Sequence, residues 1–423
     1  MNVVIIGLGY VGLPLACLCA RKGHKTTGLD INEEIVDKVN RGVSHIKDAA
    51  LEHAVAGVKG VLKADVSPDA IATADVIVVC VPTPVDELHH PDLTPVRKAC
   101  EAIAPHLKKG QLVVIESTIY PGTVEEICVP LLQKSGLRAG TDFGVAHCPE
   151  RIDPGNQKWH VGNIPRVCGG IDASSTERCA QFYRSIIDAE ITPLKSVKAA
   201  EAVKIMENTF RDVNIAFMNE MARSFDKAGI DIIEVIRGAS TKPFSFLAHY
   251  PGCGVGGHCI AVDPYYLIEK AKSYGFDHQF LSLARKINND MPLYTVDMVN
   301  DVLNKLGKSI KGTRIGILGV TYKGNVDDTR ESPAFEIMHL LKERGAQLVV
   351  FDPHATTHNS VTSLNECIGK SEIIVVCANH REFLQMNYEL AAKAGIKAVI
   401  DGRNFLDKDA ILRNGMLYKG IGR

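Results

Sequence analysis

Between Tyr250 and Pro264 the chain reads Tyr-Pro-Gly-Cys-Gly-Val-Gly-Gly-His-Cys-Ile-Ala-Val-Asp-Pro, with Gly252, Gly254, Gly256 and Gly257 crowded ahead of Cys259. Glycines at that density let main-chain N–H groups come close to another group. Cys259 then enters what reads as a helix start, where the dipole and unpaired amides favour a thiolate, and Asp263 follows one turn on. A structural cysteine in a tight loop is the ordinary alternative, and the glycine density weighs against it. A thiolate adds to an aldehyde as a thiohemiacetal. Hydride loss from that adduct leaves a thioester, which water hydrolyses to an acid.

A second group of residues supplies a hydride acceptor. Gly7-Leu8-Gly9-Tyr10-Val11-Gly12 follows the apolar run Asn2 to Ile6, and a second apolar run from about Lys25 to Leu29 ends at Asp30. In strand–turn–helix order, Gly7 makes the tight turn, Gly9 admits a pyrophosphate, Gly12 lets helix pack on strand, and Asp30 holds a ribose diol. An acid with no Arg or Lys close behind it favours NAD over NADP. Combined with a poised thiol, this predicts oxidation of a primary alcohol to a carboxylate with two equivalents of NAD. Lys204, Asn208 and Arg211, spaced by four and three, share one helix face. A solvated stripe is the usual meaning of such a face.

The elements that must carry these groups follow from hydrophobic period. Apolar strands are expected at Val76 to Val81, Leu112 to Ile115 and Phe143 to Ala146, each ending in polar or turn residues: Pro82-Thr83-Pro84, Glu116-Ser117-Thr118 and Cys148-Pro149-Glu150-Arg151. Thr83 and Thr118 at one sheet edge are cofactor candidates, although an isolated Thr at a strand end is more often a cap. From Val197 to Lys227 no Gly or Pro interrupts a helical repeat of Val203, Phe210, Val213, Phe217, Met221 and Phe225. That helix should centre a middle domain, and its apolar face is long enough to require a second copy of the chain. After Gly307 an α/β pattern returns, with strands at 314–318, 348–351, 373–376 and 398–400, and Asp352 echoing Asp30. The loop Gly319-Val320-Thr321-Tyr322-Lys323 departs from the dinucleotide fingerprint, so this part should bind a different nucleotide or none. The expected fold is α/β: a Rossmann domain at 1–196, a central helical dimerisation domain with the cysteine loop at 197–306, and a Rossmann-like domain at 307–423.

Composition narrows the field. The 423 residues are 46% hydrophobic with a formal charge of −1, which gives no electrostatic footprint for nucleic acid or an anionic membrane. No apolar run is long enough to span a bilayer. The twelve cysteines are scattered, in apolar contexts such as Cys17, Cys80, Cys128 and Cys377. This reads as a reducing, cytoplasmic setting without disulfides and without a structural metal.

The motifs Gly7-x-Gly9-Tyr10-Val11-Gly12-Leu13-Pro14, Val81-Pro82-Thr83-Pro84, Glu116-Ser117-Thr118, Pro149-Glu150-Arg151, Lys204-x-x-x-Asn208, Gly256-Gly257-His258-Cys259 and Tyr322-Lys323-x-x-x-Asp327-Asp328-x-Arg330-x-Ser332-Pro333 together resemble the UDP-glucose/GDP-mannose dehydrogenase family, from Met1 to about Asn404. The resemblance implies an NAD-dependent four-electron oxidation at C6 of a UDP-sugar by a homodimer, through thiohemiacetal and thioester. It makes Cys259 the nucleophile, with Lys204 and Asn208 handling the C6 oxygen, Asp263 orienting water or lysine, and Thr118 and Glu150 near the nicotinamide and the hydrolytic water. It adds Tyr10, Val11, Thr83 and Arg330 to the cofactor contacts. Arg151, Ile152, Arg211, Gly252, Tyr322, Lys323 and Arg403 join Lys204 and Asn208 as substrate contacts. His258 before the cysteine and Val262-Asp263-Pro264 after it resemble the UDP-N-acetylhexosamine branch and not the UDP-glucose one. Within that branch Pro149 to Asn156 and Ser44 to Lys47 are similar to UDP-N-acetylglucosamine enzymes, the first expectation, and Ile260 to Pro264 to UDP-N-acetylmannosamine enzymes, with UDP-glucose a further alternative. Cys253 stands where the family commonly has Pro or Ala. Two competing readings remain at this stage: a scaffold that has kept the domains and lost catalysis, which the joint presence of Lys204, Asn208, Cys259 and Asp263 opposes, and a two-electron hydroxyacid dehydrogenase, which would need neither Cys259 nor a second α/β domain.

Overall fold

The computed structural model describes residues 1–86, 91–152, 156, 158–257 and 260–423. The expectations for Asp153 to Gly155, and those for His258 and Cys259, fall outside the described residues. The chain forms two compact units, one of Met1–Glu207 with Tyr265–Phe276, the other of Asn208–Pro264 with Asp277–Arg423. Among the described residues no helix is long and apolar enough to cross a membrane.

The first unit is built on β1 (Asn2–Ile6), β2 (Lys25–Leu29), β3 (Lys63–Asp65), β4 (Val76–Val79), β5 (Leu112–Ile115), β6 (Gly144–His147), β7 (Arg166–Gly170) and β8 (Ile191–Pro193). They lie in the order β3-β2-β1-β4-β5-β6-β7-β8. Neighbours are parallel except β6 and β7. The β4, β5 and β6 runs are buried at every residue, as strands covered on both faces must be. Leu13, Leu15, Phe182 and Tyr183 pack on one side and Ile77, Ile103, Val113 and Val124 on the other. β4 stops two residues before the expected Val81, because its pairing ends as Cys80 donates to Ile6 (2.8 Å) and Pro82 brings no N–H. The order reverses between β1 and β4, which opens a crevice at their carboxyl ends.

In the second unit β9 (Arg314–Leu318), β10 (Gln347–Phe351), β11 (Ile373–Val376), β12 (Ala398–Asp401) and β13 (Leu417–Gly420) make a parallel sheet ordered β10-β9-β11-β12-β13. Ile315, Ile317, Val375 and Ile400 share one core with the helical residues Met218, Met291, Val299 and Leu303. Asp352 occupies the position that Asp30 holds in the first sheet, and its environment is different. It is wholly buried and accepts from the main-chain N–H groups of Val320, Thr321, His354 and Ala355 (2.7 to 3.3 Å) and from the His380 ring (3.0 Å). Its oxygens are used up in folding its own loops, so it cannot hold a ribose.

The helix Val197–Lys227 has the expected bounds. Its buried side mixes polar residues with Ile205, Ala216, Met218 and Ala222, and Met221 and Phe225 of the expected repeat pack against the core. Glu201, Lys204, Asn208, Asp212 and Asn219 are buried, while Met206, Phe210 and Phe217 are 66%, 47% and 52% exposed. Met218 and Ala222 do enter the core, but Phe210 and Phe217 from the expected core repeat do not. Buried polar groups are tolerated where donors or acceptors meet them. Glu201 shows how: its carboxylate accepts the N–H groups of Gly122 (2.6 Å) and Val124 (2.8 Å) in the loop after β5.

Burial nevertheless raises the Glu201 pKa to about 7, against the pull of those two donors. A folded-state pKa above the unfolded value means stability present below about pH 4.5 and lost as pH rises through 7. Glu201→Gln should therefore become less destabilising relative to wild type between pH 5 and 8, by up to about 3 kcal/mol. Urea midpoints across that range read the difference; a gap that is constant with pH would contradict the assignment.

Candidate functional site

At the β1–β4 crevice the glycines separate by role. Gly7 has φ +90°, and a Cβ there would meet the Cys80 carbonyl at 2.7 Å. A Cβ on Gly12 would lie 1.8 Å from the Gly7 oxygen, so the helix Gly12–Arg21 can start there only with glycine. A Cβ on Gly9 would meet nothing within 4 Å, leaving open space above the turn where a pyrophosphate can approach the N-terminus of the helix. Asp30 accepts the Leu8 N–H (2.8 Å) and the Asn32 N–H (3.0 Å), one on each oxygen, and is only half-buried. It therefore keeps lone pairs for a diol, in contrast to Asp352. Tyr10 is exposed and Val11 half-buried beside them. Thr83 is buried, with its carbonyl accepting the Tyr266 hydroxyl (2.5 Å), and Thr118 is half-buried just beyond β5. These residues fit NAD.

Further along the same sheet edge lies an ion pair out of water. Lys204 Nζ is 3.7 Å from Glu150 Oε2, with the side chains 7% and 11% exposed. Glu150 Oε1 is buried and finds no hydrogen-bond partner among the described residues. Burial raises the Glu150 pKa, although Lys204 and Arg166 pull it down. His147, at the end of β6, is wholly buried. Burial lowers its pKa to about 3 and the Lys204 charge adds to the effect, so the ring stays neutral. Glu116 cannot serve as a second base, because Arg166 pairs with one oxygen and the Tyr183 hydroxyl donates to the other (2.8 Å). Arg151, expected at the substrate, donates to Glu207 through Nε (3.3 Å) and Nη2 and to the Pro165 carbonyl (2.9 Å); Ile152 is half-buried. His147, Glu201 and Tyr266 had no sequence signal, since each acts through a tertiary partner.

In the second unit Asn208 donates to Asp263 Oδ2 at 2.5 Å, both side chains being buried. Arg211 is exposed, so the expected stripe is not uniform. The helix expected to open at Cys259 begins instead at Asp263, followed by Pro264, whose missing N–H is harmless in a first turn. The loop's glycines press on main chain and ring. A Cβ on Gly256 would lie 2.4 Å from the Glu331 carbonyl, and one on Gly257 2.8 Å from the Tyr322 ring. Gly252 is buried, and its N–H donates to Asn219 (2.9 Å), that of Cys253 to the Gly402 carbonyl (2.9 Å), and that of Gly257 to the Arg330 carbonyl (3.1 Å). Cys253 is buried beside Cys377, whose thiol holds its pKa down. Arg403 donates to the carbonyls of Cys377 (2.7 Å) and Tyr322 (3.2 Å), Arg330 forks onto Asp328, and Tyr322 and Lys323 are half-buried. His354, His380 and Glu382 bring ligand atoms within 4.8 Å. The His380 Nε2 is nevertheless committed to Asp352 and Thr321, and Nδ1 accepts the Asn325 N–H (2.9 Å), so a metal would have to break these bonds.

Comparison with known proteins matches the UDP-glucose/GDP-mannose dehydrogenase family in three parts: NAD binding domain over 1–187, central domain over 198–290 and UDP binding domain over 316–408. A UDP-N-acetyl-D-mannosamine dehydrogenase of Pyrococcus horikoshii is 36% identical over 427 residues, covering 100% of this chain and 99% of that protein. A UDP-N-acetyl-D-glucosamine 6-dehydrogenase of Pseudomonas aeruginosa is 38% identical over 421 residues, covering 97% and 98%. A solved structure of UDP-D-ManNAc dehydrogenase from Pyrococcus horikoshii superposes with a TM-score of 0.93 at 36% identity, covering 100% of this chain and 99% of that one. With the dinucleotide crevice in the first unit, these matches show that the chain belongs to the UDP-glucose/GDP-mannose dehydrogenase family and is an NAD-dependent nucleotide-sugar dehydrogenase.

Proposed function

We propose that the protein oxidises C6 of a UDP-N-acetylhexosamine to the uronic acid in two steps through Cys259. The observation that carries this reading is the buried Lys204–Glu150 pair with its unpartnered Glu150 oxygen. The Gly7–Gly12 turn, Asp30, Thr83, Thr118 and Arg330 would hold NAD, which when bound would supply the hydride acceptor for each oxidation. Lys204 is a cation in a dry setting, where it holds negative charge developing on the C6 oxygen. Asn208, anchored by Asp263, supplies a fixed amide beside it. The Cys259 thiolate adds to the aldehyde carbon and leaves again when water attacks the thioester. Glu150 takes the proton from that water, and its raised pKa suits a general base near neutrality. Tyr322, Lys323 and Arg403 are assigned to the nucleotide sugar, with Arg151, Ile152, Arg211 and Gly252 as further contacts. Functionally the chain divides at 196 and 306. A cytoplasmic, reducing setting suits the eleven described cysteines, all buried and unpaired.

For the C2 epimer we place the gluco form first, on residues 149–156 and 44–47, and the manno form, on residues 260–264, second; part of the 149–156 stretch lies outside the described residues, and relatives of both names align over nearly the whole chain. We also propose a homodimer that covers the exposed Met206, Phe210 and Phe217.

Three outcomes test this reading. With NAD and a panel of UDP-N-acetylmannosamine, UDP-N-acetylglucosamine, UDP-N-acetylgalactosamine, UDP-glucose and GDP-mannose, a UDP-N-acetylhexosamine should give the highest kcat/KM; preference for UDP-glucose or GDP-mannose would refute the substrate class. Glu150→Gln should lower kcat by about 10²-fold or more and abolish the acid limb of the wild-type pH profile, whose midpoint should lie above the ordinary glutamate value; an unchanged limb would remove Glu150 from the chemistry. Light scattering at micromolar concentration should give twice the 46.0 kDa chain mass, and Phe217→Glu should shift it toward the monomer.

A further inference from the structure

Asn219, wholly buried on the long helix, is one end of a hydrogen-bond relay that the proposed chemistry does not use. Its Oδ1 accepts the Gly252 N–H (2.9 Å) and its Nδ2 donates to Asn288 Oδ1 (2.8 Å). Asn288 Nδ2 donates in turn to the Asp212 carboxylate (2.8 Å) and carbonyl (3.0 Å). Arg285 Nη1 closes the relay on the same carboxylate oxygen at 2.6 Å. All four side chains are buried, so water cannot substitute for a lost partner.

The order of donors along the relay is forced. A carboxylate only accepts, so Asn288 must turn its NH2 toward Asp212 and its oxygen toward Asn219. Asn219 must then present its own NH2 to that oxygen, which leaves its carbonyl facing the Gly252 N–H. The Asp212 carboxylate and carbonyl at one end and the Gly252 N–H at the other thus require the same order, with the Asn219 carbonyl meeting the loop. That loop has little slack beyond Gly252: the Cys253 and Gly257 amides are bonded to Gly402 and Arg330, and a Cβ on Gly254 would lie 2.6 Å from Pro333. Gly252 is thus the first of three tethered amides, with Cys253 and Gly257, that fix the main chain of the loop preceding Cys259 in the sequence.

We propose that Asn219, oriented through Asn288 by Asp212, is a positioning residue for the Cys259 thiol, acting through the loop main chain it holds at Gly252. The proposal rests on Cys259 being the nucleophile of the reaction above. Small errors of placement at a reacting centre cost about 10²-fold in rate, and they fall on kcat when the binding contacts are intact.

The test uses Asn219→Ala and the isosteric Asp212→Asn in the full-length enzyme. Each is measured for kcat, for KM of UDP-sugar and NAD, and for the rate at which iodoacetamide alkylates Cys259, mapped by mass spectrometry. Asn219→Ala should lower kcat by about 30-fold or more with KM changed less than about threefold, and should change the alkylation rate at least about threefold. Asp212→Asn should act in the same direction at about a third of the effect, because an amide at 212 keeps the carbonyl contact to Asn288 and loses only the charge that holds Arg285 and the Asn288 amide against it. If Asn219→Ala does not fold, Asp212→Asn decides alone. Values of kcat and alkylation rate within about twofold of wild type, or a rise in KM with kcat unchanged, would overturn the proposal. Alkylation needs no substrate, so it reads the positioning of Cys259 even if the dehydrogenation reading fails; that failure would show separately, as full activity in Cys259→Ser.

Discussion

A helix that buries charge and amide on one face and leaves phenylalanine on the other constrains the site. Residues 201, 204, 208, 212 and 219 are spaced by three, four, four and seven, so they form one stripe along the helix Val197–Lys227. Every polar group on that stripe has been taken from water, and each would destabilise the fold if left alone. The partners are loop N–H groups for Glu201, a carboxylate for Lys204, Asp263 for Asn208, Arg285 and Asn288 for Asp212, and the Gly252 N–H for Asn219. Within the first unit the loops after β5 and β6, and within the second the loop ahead of Asp263, are therefore held by the part of the helix that each unit contains.

The same constraint sets the electrostatics. A lysine with two shells of water would be a weak stabiliser of an oxyanion; Lys204 is buried, with the Glu150 carboxylate 3.7 Å away to offset the cost of taking its charge from water. That carboxylate retains one oxygen with no partner among the described residues, the kind of unmet valence that a water or substrate hydroxyl completes. Arg166 and Tyr183 take Glu116 out of contention, and burial takes charge from His147. Of these groups near Lys204, Glu150 alone combines a raised pKa with an open oxygen.

The dinucleotide crevice was legible because its signals are local: a strand, Gly7, Gly9, Gly12 and a terminal acid lie within thirty residues, and the Gly7 oxygen itself excludes a side chain at Gly12. The long helix was legible in its bounds for the same reason. Its orientation was legible only in part: Met221 and Phe225 of the apolar repeat pack against the core while Phe210 and Phe217 stay exposed, and polar residues are drawn in by partners distant in sequence. The glycine loop was recognised as unusual, yet its contacts, Tyr322, Arg330 and Glu331, sit some seventy residues away. Asp352 shows the opposite hazard. It matches Asp30 in position after a second strand, but five donors from its own chain occupy it. Position in a fold can be read from a pattern, whereas the free valence that makes a binding site cannot.

Under the proposed function two oxidations follow one another at one carbon, with Cys259 holding the substrate between them, and counting cofactor turnover tests this most directly. With limiting UDP-sugar, excess NAD and the product analysed by mass, two NADH should form per sugar consumed and the product should be the uronic acid. One NADH per sugar, with an aldehyde or ketone as the product, would show a two-electron dehydrogenase and contradict the covalent mechanism.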